Sequence, residues 1–262
     1  MPIITLTSDW GLKDHYRASV KGAILNFLPN ANIIDISHLI TPYNILEASY
    51  VIRNCYKSFP DDTIHIIGVN TEASPENPHI AIYADGQYFI GADNGCFSLI
   101  LKDKTVEKII EIEIAQDSNN FTFSARDVFA KAACHIASGR PIEKLGSVRE
   151  KLNEQGMISP VVTSDKIIGS VIYFDNYGNC LTNISEELFN EVRKNRKFVI
   201  MSGKASSDIK KISMSYLDVK LYELLAVFNN NGYLEIALSK GNAAGMLGLG
   251  LKKDPSITIL FE

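Results

Sequence analysis

The chain of 262 residues is 46% hydrophobic and 21% charged, the balance of a soluble globular protein long enough for one large domain or two ordinary ones. Its 26 Lys and Arg against 30 Asp and Glu leave a formal charge of -4, which argues against nucleic acid and anionic membranes as partners. Cys55, Cys96, Cys134 and Cys180 sit in separate apolar stretches without the short paired spacing of zinc or redox sites; no signal-peptide pattern precedes the first strand, and no apolar run reaches membrane-spanning length. Buried free thiols in a reducing, cytoplasmic setting are expected.

In chain order, the first half alternates strand-like and helical runs: Ile3 to Ser8, Tyr16 to Leu28, Asn32 to Ile36, Ile45 to Ser58, and Thr63 to Asn70. Pro29 and Asn30 stop one helix, Asn44 can cap the next, Pro60 follows it, and Gly139 closes a helix running from about Arg126 to Ser138. His79 to Ala84 and Gln87 to Gly91 predict a hairpin around Asp85-Gly86. This is the grammar of an α/β layered sheet domain, expected over residues 1–155.

From Pro160 the rhythm changes to short β-rich runs, Ile167 to Phe174, Lys197 to Met201, Leu224 to Phe228, Tyr233 to Ala237 and Ile257 to Phe261, separated by Asn-Gly and Gly-rich turns. They predict a smaller, C-terminal antiparallel β-barrel-like domain over 160–262, joined through the polar stretch Glu150 to Ser159.

Three polar clusters carry candidate chemistry. Thr7-Ser8-Asp9-Trp10-Gly11 ends the first strand, where open α/β sheets bind ligands; Asp9 either accepts hydrogen bonds from vicinal ribose hydroxyls or caps the next helix. Asp93-Asn94-Gly95 follows a strand and reads as a tight turn or as a ligand-facing amide and carboxylate. Phe174-Asp175-Asn176-Tyr177-Gly178-Asn179 combines a carboxylate, two amides and an aromatic ring, enough for a zwitterionic group beside an apolar face, or else a polar turn. Neither a dinucleotide fingerprint nor a Walker loop is present, the serines lack a nucleophile-elbow context, and His15, His38, His65, His79 and His135 have no metal-ligand spacing. No metal and no separate cofactor are expected.

These clusters, in this order, resemble the SAM hydroxide adenosyltransferase and halogenase family along nearly the whole chain, SAM being S-adenosyl-L-methionine. The likeness also runs through Ile34-Asp35-Ile36-Ser37-His38, Thr122-Phe123-Ser124-Ala125-Arg126-Asp127, Thr182-Asn183, Asn231-Gly232-Tyr233-Leu234-Glu235-Ile236-Ala237 and Asn242-Ala243-Ala244. The resemblance implies a homotrimer with SAM between one subunit's first domain and its neighbour's second. By matching positions, Asp9 would hold the ribose, with Trp10 beside it, and Tyr43 would pack against the nucleoside. Asp93 and Asn94 would belong to the same ligand frame. Asp175 and Asn179 would take the methionine amino and carboxylate groups, and Tyr177, Asn230 and Ala243 would line the adenine and methionine ends.

Family chemistry is in-line attack at the ribose C5′ of SAM, expelling neutral methionine. Hydroxide-using members resemble one another in an Asp, an Arg seven residues later and a His from a later loop; here those positions carry Asn70, Asn77 and Ser124. The expected activity is therefore slow release of methionine and adenosine with water as nucleophile. The alternatives are a catalytically silent SAM-binding or sensing trimer, or a halide-using adenosyl transferase. Glu72 and Glu76 in the same loop are either substitute bases or solvated carboxylates.

Overall fold

A computed structural model describes residues 3–115, 122–156, 158–201, 208–250 and 255–262. The chain divides into two units, Met1–Gly156 and Met157–Glu262. The polar stretch from Glu150 to Ser159 straddles the division.

The first unit is built on a mixed sheet in the order β2-β1-β3-β5-β4-β6-β7, with β1 Ile3–Ser8, β2 Asn32–Ser37, β3 Ile64–Gly68, β4 His79–Ala84, β5 Gln87–Ala92, β6 Val106–Ile112 and β7 Gly146–Val148. Strand β1 runs parallel to both β2 and β3, and β3 parallel to β5, whereas β4 pairs antiparallel with β5 and β6. Because successive side chains of a strand point to opposite faces, this sheet needs cover on both sides. Ile64, Ile66 and Ala81 meet Val20 and Ile24 of α1 (Tyr16–Phe27) and Ala133 of α4 (Ala130–Ala137). Ile67, Ile80 and Ile82 meet Ala48 and Ile52 of α2 (Ile45–Arg53) and Phe97 of α3 (Cys96–Ile100).

Two expected helices differ in detail. The one starting at Ile45 stops at Arg53 and is followed by a separate 3₁₀ turn, Tyr56–Ser58. The one near Arg126 opens with a π-helical turn, Ala125–Phe129, before α4. Asn44 does cap α2, accepting from the Glu47 N–H at 3.1 Å.

The second unit is an antiparallel sheet in the order β11-β14-β9-β10-β13-β12, with β9 Lys166–Phe174, β10 Cys180–Ser185, β11 Phe198–Met201, β12 Leu224–Phe228, β13 Tyr233–Leu238 and β14 Ser256–Phe261; β8 (Val161–Val162) pairs beside β9. Its two edges are drawn together by the segment around Ile209–Ser213: Ile209 exchanges both backbone bonds with Ile200 of β11, at 2.8 and 3.1 Å, and the Ser213 N–H donates to Ala226 O of β12 at 2.8 Å. Edge coverage of this kind is what makes the sheet barrel-like. Its interior holds Ile167, Phe189, Ile200, Leu234, Ile236 and Ile259. Phe189 comes from α5 (Glu186–Arg193), and a further short helix, α6 (Ala243–Leu247), follows β13. Among the described residues, no helix is long and apolar enough to cross a membrane.

Candidate functional site

Sheet topology gathers the candidate residues of the first unit. Strand β1 lies between β2 and β3, so the connections leaving it diverge, and the carboxyl ends of β1, β2, β3 and β5 line one edge. Asp9 follows β1, His38 follows β2, Asn70 lies two residues past β3 and Asp93 directly follows β5. The Asp9 carboxylate accepts from the Tyr43 N–H at 2.9 Å, and Tyr43 is held in a left-handed conformation (φ 65°) with its ring exposed. A side chain at Gly68 would overlap the Trp10 indole, which therefore lies directly over the end of β3.

Beside Asp9 a chain of polar contacts runs from the buried Ser8 and His38 out to the exposed Asp35. Ser8 Oγ lies 2.6 Å from His38 Nδ1, and His38 Nε2 is 3.1 Å from Asp35 Oδ1, though off a good hydrogen-bond axis. Burial works to raise the Asp35 pKa, but the bond to Lys21 and the close contact with His38 outweigh it and keep the carboxyl below its ordinary value. Burial also depresses His38 despite Asp35, so the imidazole is neutral at pH 7. The carboxylate beside Nε2 favours the tautomer protonated there, leaving Nδ1 to accept from Ser8. With Ser8 at 0% exposure this is no hydrolytic triad. It fixes the loop, because the Gly11 N–H donates to His38 O at 2.7 Å and the Trp10 ring stacks on His38 at 5.9 Å.

The loop after β3 is folded on itself. Ser74 and Asn77 exchange backbone hydrogen bonds at 3.1 and 3.2 Å, while Asn70 is exposed with φ 49°. Glu72 and Glu76 are solvent-exposed, so the loop carboxylates are solvated. Ser124 is buried at the head of the π-helical turn beside Ala125. His79 is buried nearby in sequence; its Nε2 donates to Thr71 O at 2.9 Å and burial lowers its pKa.

Asp93 and Asn94 depart from the expected ligand-facing role. Asp93 has 0% exposure, both its oxygens accept from the Asn153 N–H at 3.1 Å, and Arg149 lies 3.7 Å away. Burial raises its pKa against the bonding to Asn153 and the charge of Arg149. The Asn94 amide donates to Val69 O and Asn70 O at 3.1 and 3.0 Å, and its oxygen accepts from the Cys96 N–H. Both side chains are occupied in holding backbone, Asn94 pinning the left-handed Asn70 and Asp93 anchoring the chain at 149–153.

In the second unit a cleft of about 770 Å³ is lined by Asp175, Tyr177, Asn179, Leu238, Lys240 and Asn242, with Tyr216 and Gly241 completing it. Asp175 Oδ1 accepts the Tyr177 and Asn179 N–H groups at 2.9 Å each, and Oδ2 accepts the Asn179 side-chain amide at 2.8 Å. An ionised carboxylate has about four acceptor sites, so capacity remains for a cation in the cleft. Gly178 (φ 79°) turns the chain where a Cβ would collide with Asn242, and its carbonyl accepts from the Ala244 N–H at 2.8 Å, docking α6 on the Asp175 turn.

Two expected lining residues are placed elsewhere. Asn230 is exposed in the turn between β12 and β13, at the opposite end of β13 from the cleft, roughly 20 Å away by the rise of a six-residue strand. Ala243 is fully buried, and its neighbour Asn242 reaches the cleft instead. Sequence reading missed Tyr216, Leu238 and Lys240. Lys240 carries a signal in hindsight, since Lys-Gly-Asn after a strand is turn chemistry; Tyr216 arrives from a distant loop and carries none. Among the described residues, no group of three or more His, Cys, Asp or Glu side chains could hold a metal ion.

Comparison with known proteins finds matches to both units. Residues 4–146 match the SAM hydroxide adenosyltransferase N-terminal domain and residues 169–255 the C-terminal domain. The (R)-S-adenosyl-L-methionine hydrolase of Methanocaldococcus jannaschii is 31% identical over 260 residues, covering 95% of this chain and 93% of that protein. The hydrolase of the same name from Thermus thermophilus is 26% identical, covering 92% and 94%. A fluorinase from Nocardia brasiliensis is 25% identical over 70% of this chain and 71% of its own. An uncharacterized conserved protein from Thermotoga maritima has the same fold, with a TM-score of 0.88 at 32% identity over 98% of this chain and all of that one. Matched across both units, the chain belongs to the SAM hydroxide adenosyltransferase family.

Proposed function

We propose that the protein binds SAM and cleaves it slowly at the ribose C5′, releasing methionine and adenosine. The observation that carries this reading is the similarity to an (R)-SAM hydrolase over 95% of the chain. Asp9 at the end of β1 would accept the ribose hydroxyls, and Asp175, with spare acceptor capacity on the cleft, would pair with the ligand's ammonium group. Tyr43 and Tyr177, whose rings are exposed, would cover the nucleoside. The reading includes the homotrimer that the resemblance implies, in which one subunit's first unit and a neighbour's second supply the two half-sites. It requires no metal and no cofactor besides SAM.

Chemically, the oxygen of water bonds to C5′ while the C5′–S bond breaks, its electron pair neutralising the sulfonium as methionine leaves. The oxygen then loses a proton. Asn70, Asn77 and Ser124 can orient water but cannot accept that proton near neutral pH, and a missing general base commonly forfeits about 10²- to 10⁴-fold in rate. Proton loss to bulk water and slow turnover follow. The same three residues favour a second reading, a silent SAM-binding trimer. A cytoplasmic setting, supported by free cysteines at 55, 96, 134 and 180, would supply SAM to either.

The test is chromatography of SAM incubated with purified protein, with and without chloride, alongside a binding titration. Adenosine and methionine above the spontaneous rate, abolished by Asp9→Ala, are expected. Binding without product would leave the silent receptor, a halogenated nucleoside would place the chain with the halide users, and absence of binding would overturn both readings.

A further inference from the structure

Residue Glu235 is an acid in the middle of a strand, and alternation along β13 puts it on the same face as Ala237. That face is apolar: Ala237 packs with Leu225, Val227 and Val219, and the cross-strand neighbours of Glu235 are Val227 and Leu181. Glu235 is only 4% exposed there, and a carboxylate so placed is costly unless it is bonded. Its Oε1 accepts the phenolic hydroxyl of Tyr216 at 2.7 Å. Burial raises the Glu235 pKa and the nearby Asp175 charge raises it further, against the opposing effect of the Tyr216 bond.

Tyr216 also lines the cleft that holds Asp175 and Asn179. It belongs to an exposed loop, Met214 to Tyr222, whose apolar tips Met214 and Leu217 face solvent. The loop is folded by Asp218, whose carboxylate accepts the Met214 and Ser215 N–H groups at 2.7 and 3.2 Å, and its far end is tied where the Tyr222 N–H donates to Ser239 O at 3.0 Å. Between these ties, the Tyr216 phenol reaches across to the sheet.

We infer that Glu235 is a positioning residue for the ligand cleft: it holds the Tyr216 phenol and so fixes that ring as a wall of the space in which Asp175 and Asn179 receive the ligand. This rests on the reading that SAM occupies the cleft. A charge-assisted hydrogen bond is short and directional, so it orders a half-exposed ring better than packing alone would. Glutamine can replace the acceptor without the charge, whereas alanine cannot, and phenylalanine at 216 keeps the ring while losing the bond.

The experiment compares the full-length wild type with Glu235→Gln, Glu235→Ala, Tyr216→Phe and the Glu235→Ala/Tyr216→Phe double variant. Two readouts are taken: hydrogen exchange of the 213–222 segment without ligand, and SAM affinity with KM and kcat. Glu235→Ala and Tyr216→Phe should each speed exchange of that segment and raise the SAM Kd and KM about tenfold, the scale of one lost charged hydrogen bond, with kcat little changed. Glu235→Gln should stay within about threefold of wild type, and the double variant should be no worse than the worse single. Unchanged exchange in Tyr216→Phe, or additive losses in the double variant, would overturn the inference. Should Glu235→Ala fail to fold, the contrast between Tyr216→Phe and Glu235→Gln decides alone. Failure of the wild type to bind SAM would sink the proposed function, while the exchange pattern would still decide whether Glu235 holds Tyr216.

Discussion

Asp93 and Asp175 enter the structure in nearly the same way. Each follows a strand, each is followed by an Asn and, within three residues, a Gly, and each accepts backbone N–H groups. Their fates differ. Asp93 is sealed at 0% exposure beneath residues 149–153, where it bonds Asn153 and faces Arg149. Asp175 bonds within its own turn, to Tyr177 and Asn179, and keeps a side on the cleft. A local motif fixes the turn; a distant segment decides whether the carboxylate is sealed in the fold or left facing a cleft.

The largest effect should come from restoring ionisable groups to the first unit. Asn70→Asp, Asn77→Arg and Ser124→His together should raise SAM turnover by about 10²- to 10⁴-fold, measured as adenosine formed per enzyme, because a base would then stand beside the attacking water. No gain, with SAM binding retained, would mean that this loop does not surround the nucleophile. Next in size, Asp93→Ala should lower stability by about 3 kcal/mol in denaturant unfolding, since it leaves the Asn153 N–H without its acceptor in a sealed site and removes one of the two carboxylates facing Arg149, which keeps Glu111 at 2.8 Å. Its SAM affinity, measured on folded protein, should stay close to wild type. Weak binding with intact stability would instead return Asp93 to the ligand frame.

The first unit also carries a pH liability. His65 is 1% exposed, between Thr5 and Gln87. Gln87 gives its amide hydrogens to Tyr56 O and Phe59 O, so its oxygen must accept from His65 Nε2, and Nδ1 accepts from Thr5. Burial drives the His65 pKa down from 6.5 to about 4. The unfolded chain therefore takes up a proton below about 6.5 that the folded one refuses, so stability present at neutral pH is lost as pH falls through this window, by at most about 3 kcal/mol. Unfolding free energies at pH 7 and 4.5 should converge partly in His65→Gln, leaving the shares of His38 and His79, which are also depressed. An unaltered pH slope would contradict this assignment.

For the second unit the counterpart is Asp175→Ala, which should weaken SAM binding about tenfold to a hundredfold through loss of the charge facing the cleft and loosening of the turn. Asp175→Asn keeps an acceptor for the Tyr177 and Asn179 N–H groups and should cost less. Equal losses would shift the weight from charge to turn geometry.

What could be seen beforehand follows the range of the interactions. Alternating Ile and Val runs, the Asp85-Gly86 hairpin and the Asn44 cap are local, and they place most strands and α2. The strand-end clusters were legible for the same reason, because Asp9 and Asp175 announce turns after strands. Burial of Asp93 was not, since it depends on Arg149 and Asn153 more than fifty residues away in sequence. Asn230 reads like a site residue by its place in a resemblance, yet it lies on a hairpin whose far end meets the cleft.

Helix α5 marks the boundary between these cases, because its signal was local and still went unread. Thr182-Asn183-Ile184-Ser185 ends β10, a strand outside the β-rich runs expected from the sequence, and Ser185 is also an N-cap: its hydroxyl accepts the Leu188 N–H at 3.1 Å, Glu186 and Glu187 occupy the first turn and Arg193 the last, each favourable to the helix dipole. One residue ends β10 and starts α5, and the helix delivers Phe189 into the barrel core. Ser185→Ala should cost about 1 kcal/mol, the smallest effect considered, and Ser185→Asp should retain most of the cap. SAM binding should be unaffected at temperatures where the protein is folded. A loss near zero in Ser185→Ala would show that packing of Phe189, and not the cap, fixes the start of the helix.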